Sequence, residues 1–266
     1  MANTSPFAGR TVFIAGGSSG INLGIGEHFG KLGARVALIS RSIDRVEKAA
    51  AGINDAGGDA IGLEADVRDF AAVDRALNEV RERFSEIDVV VSGAAGNFLA
   101  PAAGMSGNAF KTVVDIDLIG TFNVFRASFP YIRKPGASLI AITAPQGARP
   151  EMFQAHACAA KAGVNMLTKC LAMEWGPAGV RVNAISPGPI DGTEGMARLA
   201  ATPEMEASLR SKLALRRYGT KQEIAECVEF LVSDHARYIT GTIVDCDGGT
   251  ILGDASADAL ATSEGV

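Results

Sequence analysis

The chain has 266 residues, 47% of them hydrophobic, and carries 30 acidic against 25 basic residues for a formal net charge of −5 at pH 7. That length suits one α/β domain with a sizeable core. The acidic balance, without any Lys/Arg run, argues against a sequence-independent nucleic-acid surface, which needs clustered excess cations.

Arg10 to Ala15 is a short apolar run ending in Gly16-Gly17-Ser18-Ser19-Gly20, and Ile21 to Leu32 then has helical periodicity, so the opening reads strand, glycine turn, helix. Arg35 to Ser40 is a second buried strand, Ser42 is the expected cap of a helix through Ala51, and Asp59 to Glu64 is a third strand. Phe70 to Phe84 reads as helix, Asp88 to Ser92 as the fourth strand, and Phe110 to Tyr131 as one long helical region. Ser138 to Thr143 is the fifth strand, Phe153 to Trp175 a helix and Val180 to Ile185 the sixth strand. Pro187 to about Arg216 loosens into a loop with short helical pieces, followed by a helix over Lys221 to Ser233 and a last strand over Thr242 to Cys246. Alternating strands and helices predict a single Rossmann-like, doubly wound α/β domain over residues 1–266, with a mainly parallel seven-stranded sheet. Ser256 to Val266 is small and polar and is expected to be poorly ordered.

Cys158, Cys170, Cys227 and Cys246 have no metal-ligand spacing, so they read as buried thiols and no metal site is expected. No stretch reaches the length of a membrane span. The N-terminus lacks a basic segment followed by an apolar run, and the closing Ser263-Glu264-Gly265-Val266 is not an address of the Ser-Lys-Leu type. A soluble cytoplasmic chain is the expectation.

The glycine turn brings backbone N–H groups toward a pyrophosphate at a helix N-terminus, which makes Gly16, Ser18, Ser19, Gly20 and Ile21 candidate cofactor contacts. Asn22 stands where a third glycine is usual; it tolerates unusual backbone geometry, and Gly26 still permits close helix packing. After the second strand, where an acidic residue would bind a ribose 2′-OH, the chain has Ser40-Arg41-Ser42, a cation with hydroxyls that suits the 2′-phosphate of NADPH over NADH. Asp66-Val67 would sit at the adenine, with a helix N-cap as the other reading of Asp66.

Gly16-Gly17-Ser18-Ser19-Gly20, Gly93-Ala94-Ala95-Gly96, Lys161, Arg181-Val182-Asn183, Pro187-Gly188-Pro189-Ile190 and Asp247-Gly248-Gly249 follow one another as in the short-chain dehydrogenase/reductase family, which the chain resembles over nearly its whole length. Within that family, Asn97-Phe98-Leu99, Asp115-Ile116-Asp117, Gly120-Thr121-Phe122-Asn123, His156-Ala157 and Gly192-Thr193-Glu194-Gly195 carry a likeness to the peroxisomal-type 2,4-dienoyl-CoA reductases. A carbonyl reductase of this family would carry a Tyr one helical turn before Lys161 and a Ser thirteen residues earlier; here those positions are Ala157 and Ala144, a departure the dienoyl-CoA branch shares for the Tyr. The resemblance implies reduction of a conjugated C=C in an acyl-CoA by NADP(H), with Asp117 and Lys161 organising the proton route. It also implies Pro187, Gly188, Ile190 and Thr193 on the nicotinamide side and a homotetramer. Asn97 could donate to the thioester oxygen or merely pack its loop, and Phe98 could line an acyl pocket or sit in the core. His156 could touch substrate or hold a structural hydrogen bond, and Arg198 could pair with CoA phosphates or stay solvated. The remaining readings are a reductase of another activated alkene or carrier-bound acyl group, and a non-catalytic NADP(H)-binding protein. Tyr131, Tyr218 and Tyr238 are expected to be packing residues.

Overall fold

Alternation along the first strand decides the architecture. In the computed structural model, which describes residues 5–193, 195–196 and 202–257, Phe13 and Ala15 of β1 (Thr11–Ala15) enter one apolar cluster while Val12 and Ile14 enter another. Successive side chains of a strand point to opposite faces, so each face of the sheet needs its own helical cover. The first cluster is closed by Val73, Leu77 and Val80 of α3 (Phe70–Phe84), Val124 and Phe125 of α5 (Gly120–Ser128) and Val164 of α6 (Ala155–Trp175). The second is closed by Ile25 and Phe29 of α1 (Gly20–Lys31), Val46 and Ile53 of α2 (Ile43–Asp55) and Ile224 and Val228 of α8 (Lys221–Val232).

The sheet itself has seven strands in the order β3-β2-β1-β4-β5-β6-β7, with every pairing parallel. The further strands are β2 (Arg35–Ser40), β3 (Asp59–Glu64), β4 (Val89–Ser92), β5 (Ser138–Ile142), β6 (Arg181–Pro187) and β7 (Ile243–Cys246). The chain leaves β1 for β2 and β3 on one side, then returns to place β4 on the other. That reversal between β1 and β4 opens a crevice at the carboxyl ends of the strands, where doubly wound sheets bind ligands.

Several expected boundaries move for physical reasons. α2 continues to Asp55, and Ser42 occupies its N-cap position without a side-chain capping bond; its backbone N–H instead meets the Ser40 hydroxyl at 3.2 Å. The long helix over 110–131 is three pieces: α4 (Gly107–Val114), a π-helical turn over Asp115–Ile119, and α5. The stretch after Pro187 contains the ten-residue α7 (Pro203–Lys212), capped by the Thr202 hydroxyl. α6 starts at Ala155 rather than Phe153, whose φ of +64° is incompatible with a helix. The expected disorder of the last residues falls, from 258 onward, outside the described residues. The thiols are less buried than expected: Cys170 is exposed and the other three are half-buried. Tyr238, expected to pack, is fully exposed.

Candidate active site

A cleft of about 920 Å³ opens at the carboxyl ends of the strands. One end is lined by Gly16, Ser18, Ser19, Gly20 and Ile21 together with Arg41, Asp66 and Val67. The other is lined by Lys161, Pro187, Gly188, Ile190 and Thr193, and by the β5–α6 loop from Thr143 to Gln146.

At the first end the ligand surface is backbone. Gly16 has φ +79°, and a Cβ there would lie 2.8 Å from the Ala94 Cα, so no other residue fits without moving the β4 loop. Gly20 also has positive φ, +61°, at the start of α1. The N-cap of α1, Ser19, makes no side-chain capping bond and the first turn holds no acidic residue. Its N–H groups therefore remain free for an anion, which the helix dipole also favours. Asn22 does not supply unusual backbone, as the sequence suggested; it lies inside α1. Its amide donates to the Gly93 carbonyl at 2.8 Å and the Gly16 carbonyl at 3.3 Å, tying the glycine turn to the β4 loop. A Cβ on Gly93 would strike that amide, which explains the glycine opposite.

Arg41 stands beside Ser40 and Ser42 on the cleft wall, a cation among hydroxyls. Asp66 is not the cap of α3; Asp69 is, accepting from the Ala72 N–H at 3.1 Å. Asp66 is instead gripped by Arg68 at 2.6 Å, and that hydrogen bond holds its carboxyl below the usual range. The Asn123 amide donates to the Val67 carbonyl at 2.9 Å and fixes the next residue of the wall. Free helix N–H groups, glycines no side chain could replace, and a cation with hydroxyls fit a nicotinamide dinucleotide.

At the second end the surface is made of side chains. The Gly120 N–H bonds to the Asp115 carbonyl five residues back, the wider spacing of a π turn, a feature found often at functional sites. It separates the two acidic residues. Asp115 pairs outward with Lys111. Asp117, only 2% exposed, turns inward, accepts the Gly96 N–H at 2.8 Å and meets the Lys161 ammonium at 3.1 Å. Lys161 also donates to the Ile142 carbonyl at 3.1 Å. Two of its three N–H groups are thus committed, and it lines the cleft while Asp117 is not among the lining residues.

Ala157 is buried one turn before Lys161, and Ala144 lies on the cleft wall. None of Tyr131, Tyr218 and Tyr238 is among the described lining residues. The expected substrate contacts divide. Asn97 gives its amide to the Gln154 side-chain oxygen at 2.7 Å. Phe98 is not core; it is 39% exposed and stacks on His156 with ring centroids 4.3 Å apart. His156 is fully buried with both ring nitrogens unpartnered among the described residues, so of its two readings the structural hydrogen bond is not formed there. Arg198 lies outside the described residues. Sequence reasoning missed Gln146, Gln154 and Arg149. Arg149 lines the cleft and donates to the Thr250 carbonyl at 2.7 Å. No cluster able to hold a metal occurs among the described residues, and no helix there is long and apolar enough to cross a membrane.

Comparison with known proteins places these features in company. A family model described as enoyl-(acyl carrier protein) reductase, of the short-chain dehydrogenase/reductase type, matches residues 15–250. The peroxisomal 2,4-dienoyl-CoA reductase [(3E)-enoyl-CoA-producing] of Pongo abelii is 44% identical over 248 residues, covering 91% of this chain and 84% of the relative. A probable 2,4-dienoyl-CoA reductase [(2E)-enoyl-CoA-producing] of Bacillus subtilis is 36% identical, covering 91% of this chain and 97% of the relative. Among solved structures, a short chain dehydrogenase from Bacillus anthracis superposes with a TM-score of 0.83 at 37% identity, covering 91% of this chain and 96% of that one.

Proposed function

Since the chain belongs to the short-chain dehydrogenase/reductase family, and is an oxidoreductase of it, we propose that it uses NADPH to reduce a 2,4-dienoyl-CoA or a related conjugated enoyl thioester. The observation that carries this reading is the buried Asp117–Lys161 pair with a methyl group, Ala157, where a carbonyl reductase holds its phenol. Reducing a ketone needs a positioned acid to protonate the alkoxide as it forms. A conjugated thioester needs something else. Addition at the far carbon of the diene sends negative charge to the thioester oxygen, and protonation at carbon then follows. A site for that requires donors at the oxygen and a route for one proton.

When bound, the nicotinamide supplies the hydride. Arg41, with Ser40 and Ser42, would hold the 2′-phosphate, and the N–H groups at the start of α1 the pyrophosphate. Lys161 reaches the cleft with one N–H uncommitted, enough to hold a ribose hydroxyl or a water. Asp117 has both oxygens engaged, by Gly96 and by Lys161, so it acts by fixing the ammonium and not by contacting substrate. Phe98, exposed against His156, would flank the acyl chain, and Arg198 would pair with CoA phosphates. Exposed Phe122, Met166 and Met173 on α5 and α6 support assembly of several copies, a homotetramer in this reading.

Incubation with NADPH and hexadienoyl-CoA, following nicotinamide absorbance, is the test. Turnover is expected. Turnover only on other activated alkenes or carrier-bound acyl groups moves the substrate elsewhere, and cofactor binding without turnover across a thioester panel leaves a non-catalytic binding protein. Brisk interconversion of ketones and secondary alcohols would overturn the reading outright.

A further inference from the structure

If the proposed reaction is right, charge gathers on the thioester oxygen, and the hydroxyls that would meet it in a carbonyl reductase are Ala144 and Ala157. Where β5 runs into α6, the cleft-lining side chains able to donate are Thr143, Gln146, Arg149 and Lys161. The Thr143 hydroxyl is buried and unpartnered among the described residues, Arg149 gives an N–H to the Thr250 carbonyl and lies 3.7 Å from Glu151, and Lys161 is largely committed. Gln146 is the one amide among the four. Its neighbour Gly147 packs against the α6 turn that carries Lys161: a Cβ there would lie 3.0 Å from the Lys161 backbone. Gln146 therefore belongs to the same end of the cleft as the ammonium.

Gln154 holds that amide in place. It occupies the N-cap position of α6 but makes no capping bond. Its side chain, on a residue only 6% exposed, instead accepts the Asn97 amide at 2.7 Å and the Gln146 amide at 3.3 Å on one oxygen. Each amide nitrogen carries two N–H groups, so each keeps one after this bond. The bracket joins the loop after β4 to the loop after β5. A second tie runs alongside, from the Ala100 N–H to the Phe153 carbonyl at 2.9 Å. Phe153, just before Gln154, sits in left-handed backbone at φ +64°, a conformation costly for a bulky residue and found where function demands it.

We propose that Gln154 is a positioning residue whose side-chain oxygen holds Gln146, which lines the cleft, as an amide donor to the thioester oxygen of the acyl substrate, with Asn97 tying the bracket to the loop after β4. This rests on the function proposed above and names a group that takes over from the missing hydroxyls. A fixed donor stabilises developing charge without reorganising at the moment of reaction. The bracket supplies that fixity.

The experiment compares Gln154→Met, which keeps length and loses the acceptor, with Gln154→Glu, which keeps an acceptor for both amides, and with Gln146→Met, which removes the donor from a half-buried loop. Hexadienoyl-CoA is the substrate. Gln146→Met and Gln154→Met should each lower kcat by about 100-fold, the scale of one oxyanion donor, with NADPH affinity unchanged, while Gln154→Glu retains most of kcat. The absorbance of hexadienoyl-CoA bound with NADP+ reports polarisation of the thioester: its red shift should persist in Gln154→Glu and vanish in both Met variants. Equal kcat and red shift in Gln154→Met and Gln154→Glu, or an unaffected Gln146→Met, overturns the bracket while the reductase assignment stands. A wild-type protein that binds NADPH but neither binds nor reduces the dienoyl-CoA overturns the function, and the bracket with it.

Discussion

At the β1–β3 end of the cleft a ligand meets mostly main chain: glycines at positive φ and a helix start with free N–H groups, with Arg41 and Arg45 as cations on the wall. At the β4–β6 end it meets side chains held by other side chains, Lys161 by Asp117 and Gln146 by Gln154. A main-chain surface tolerates any substitution that preserves the path of the chain. A side-chain surface fails when a single supporting partner goes, even one that never touches the ligand.

The sharpest way to break the contrast is Asp117→Ala. It leaves the Lys161 ammonium buried without its carboxylate and the Gly96 N–H without its acceptor, a loss of about 3–5 kcal/mol for breaking a buried pair. Urea unfolding should show that drop, dienoyl-CoA turnover should collapse, and pairing the change with Lys161→Met should restore part of the stability because no lone charge is then buried. Full turnover in Asp117→Ala would remove the support attributed to it.

Gly16→Ala attacks the other end. The new methyl meets the Ala94 backbone at 2.8 Å in a conformation of φ +79°, a strain on the order of 1–3 kcal/mol. Calorimetry should show weaker NADPH binding, while kcat at saturating cofactor stays near wild type. If kcat falls and binding holds, the two ends are not separate in the way their construction implies.

Ala157→Tyr restores a phenol in register with Lys161. Ala157 is 4% exposed, so overpacking should cost about 1–3 kcal/mol, read as a lower urea midpoint. Turnover of hexadienoyl-CoA should fall, because the ring intrudes on a site organised without it.

What the sequence disclosed follows the same division. Strands and helices were legible because apolar alternation and helical spacing record which face is buried, and the glycine turn because positive φ excludes nearly every other residue. Asp117 and Lys161 were legible only through family likeness. The π turn that aims Asp117 inward leaves no mark in the spacing of apolar residues, and Asn22 looked like a lost glycine because its role is a bond to Gly93, 71 residues away. Gln154 and Gln146 carry no motif. Their meaning is a shared oxygen reached from two loops, which only the folded arrangement brings together. Of the two readings of Asp66, the helix N-cap falls, because Asp69, three residues on, performs that role and Arg68 occupies Asp66.

Arg41→Ala measures how far the main-chain end depends on the cation between Ser40 and Ser42. If the 2′-phosphate is held there, KM for NADPH should rise about 10-fold, roughly 1.4 kcal/mol, with KM for NADH unchanged. Equal effects on both cofactors would mean that Arg41 supports the wall and does not read the phosphate.

The smallest effect concerns the border of that same end. Lys221, on the cleft wall, is the first residue of α8, and Thr220 and Glu223 form a reciprocal capping box at its start. Arg217, hydrogen-bonded to Glu223, and the Thr220 N–H hold the Glu223 carboxyl down to about 2. A carboxyl whose value is lower in the folded chain stabilises fully above its unfolded value, near 4.5, and that contribution is lost as the pH falls through the folded value. Because both partners are solvent-exposed, the electrostatic part stays below about 1 kcal/mol, and Thr220→Ala removes about 1 kcal/mol of capping at any pH. Melting temperature against pH should therefore fall more gently below 4.5 in Glu223→Gln than in wild type. A looser start to α8 should appear as a modest rise in KM for NADPH and leave kcat on the dienoyl-CoA untouched, since Lys221 borders the main-chain end and none of the residues holding Lys161 or Gln146 lies on α8.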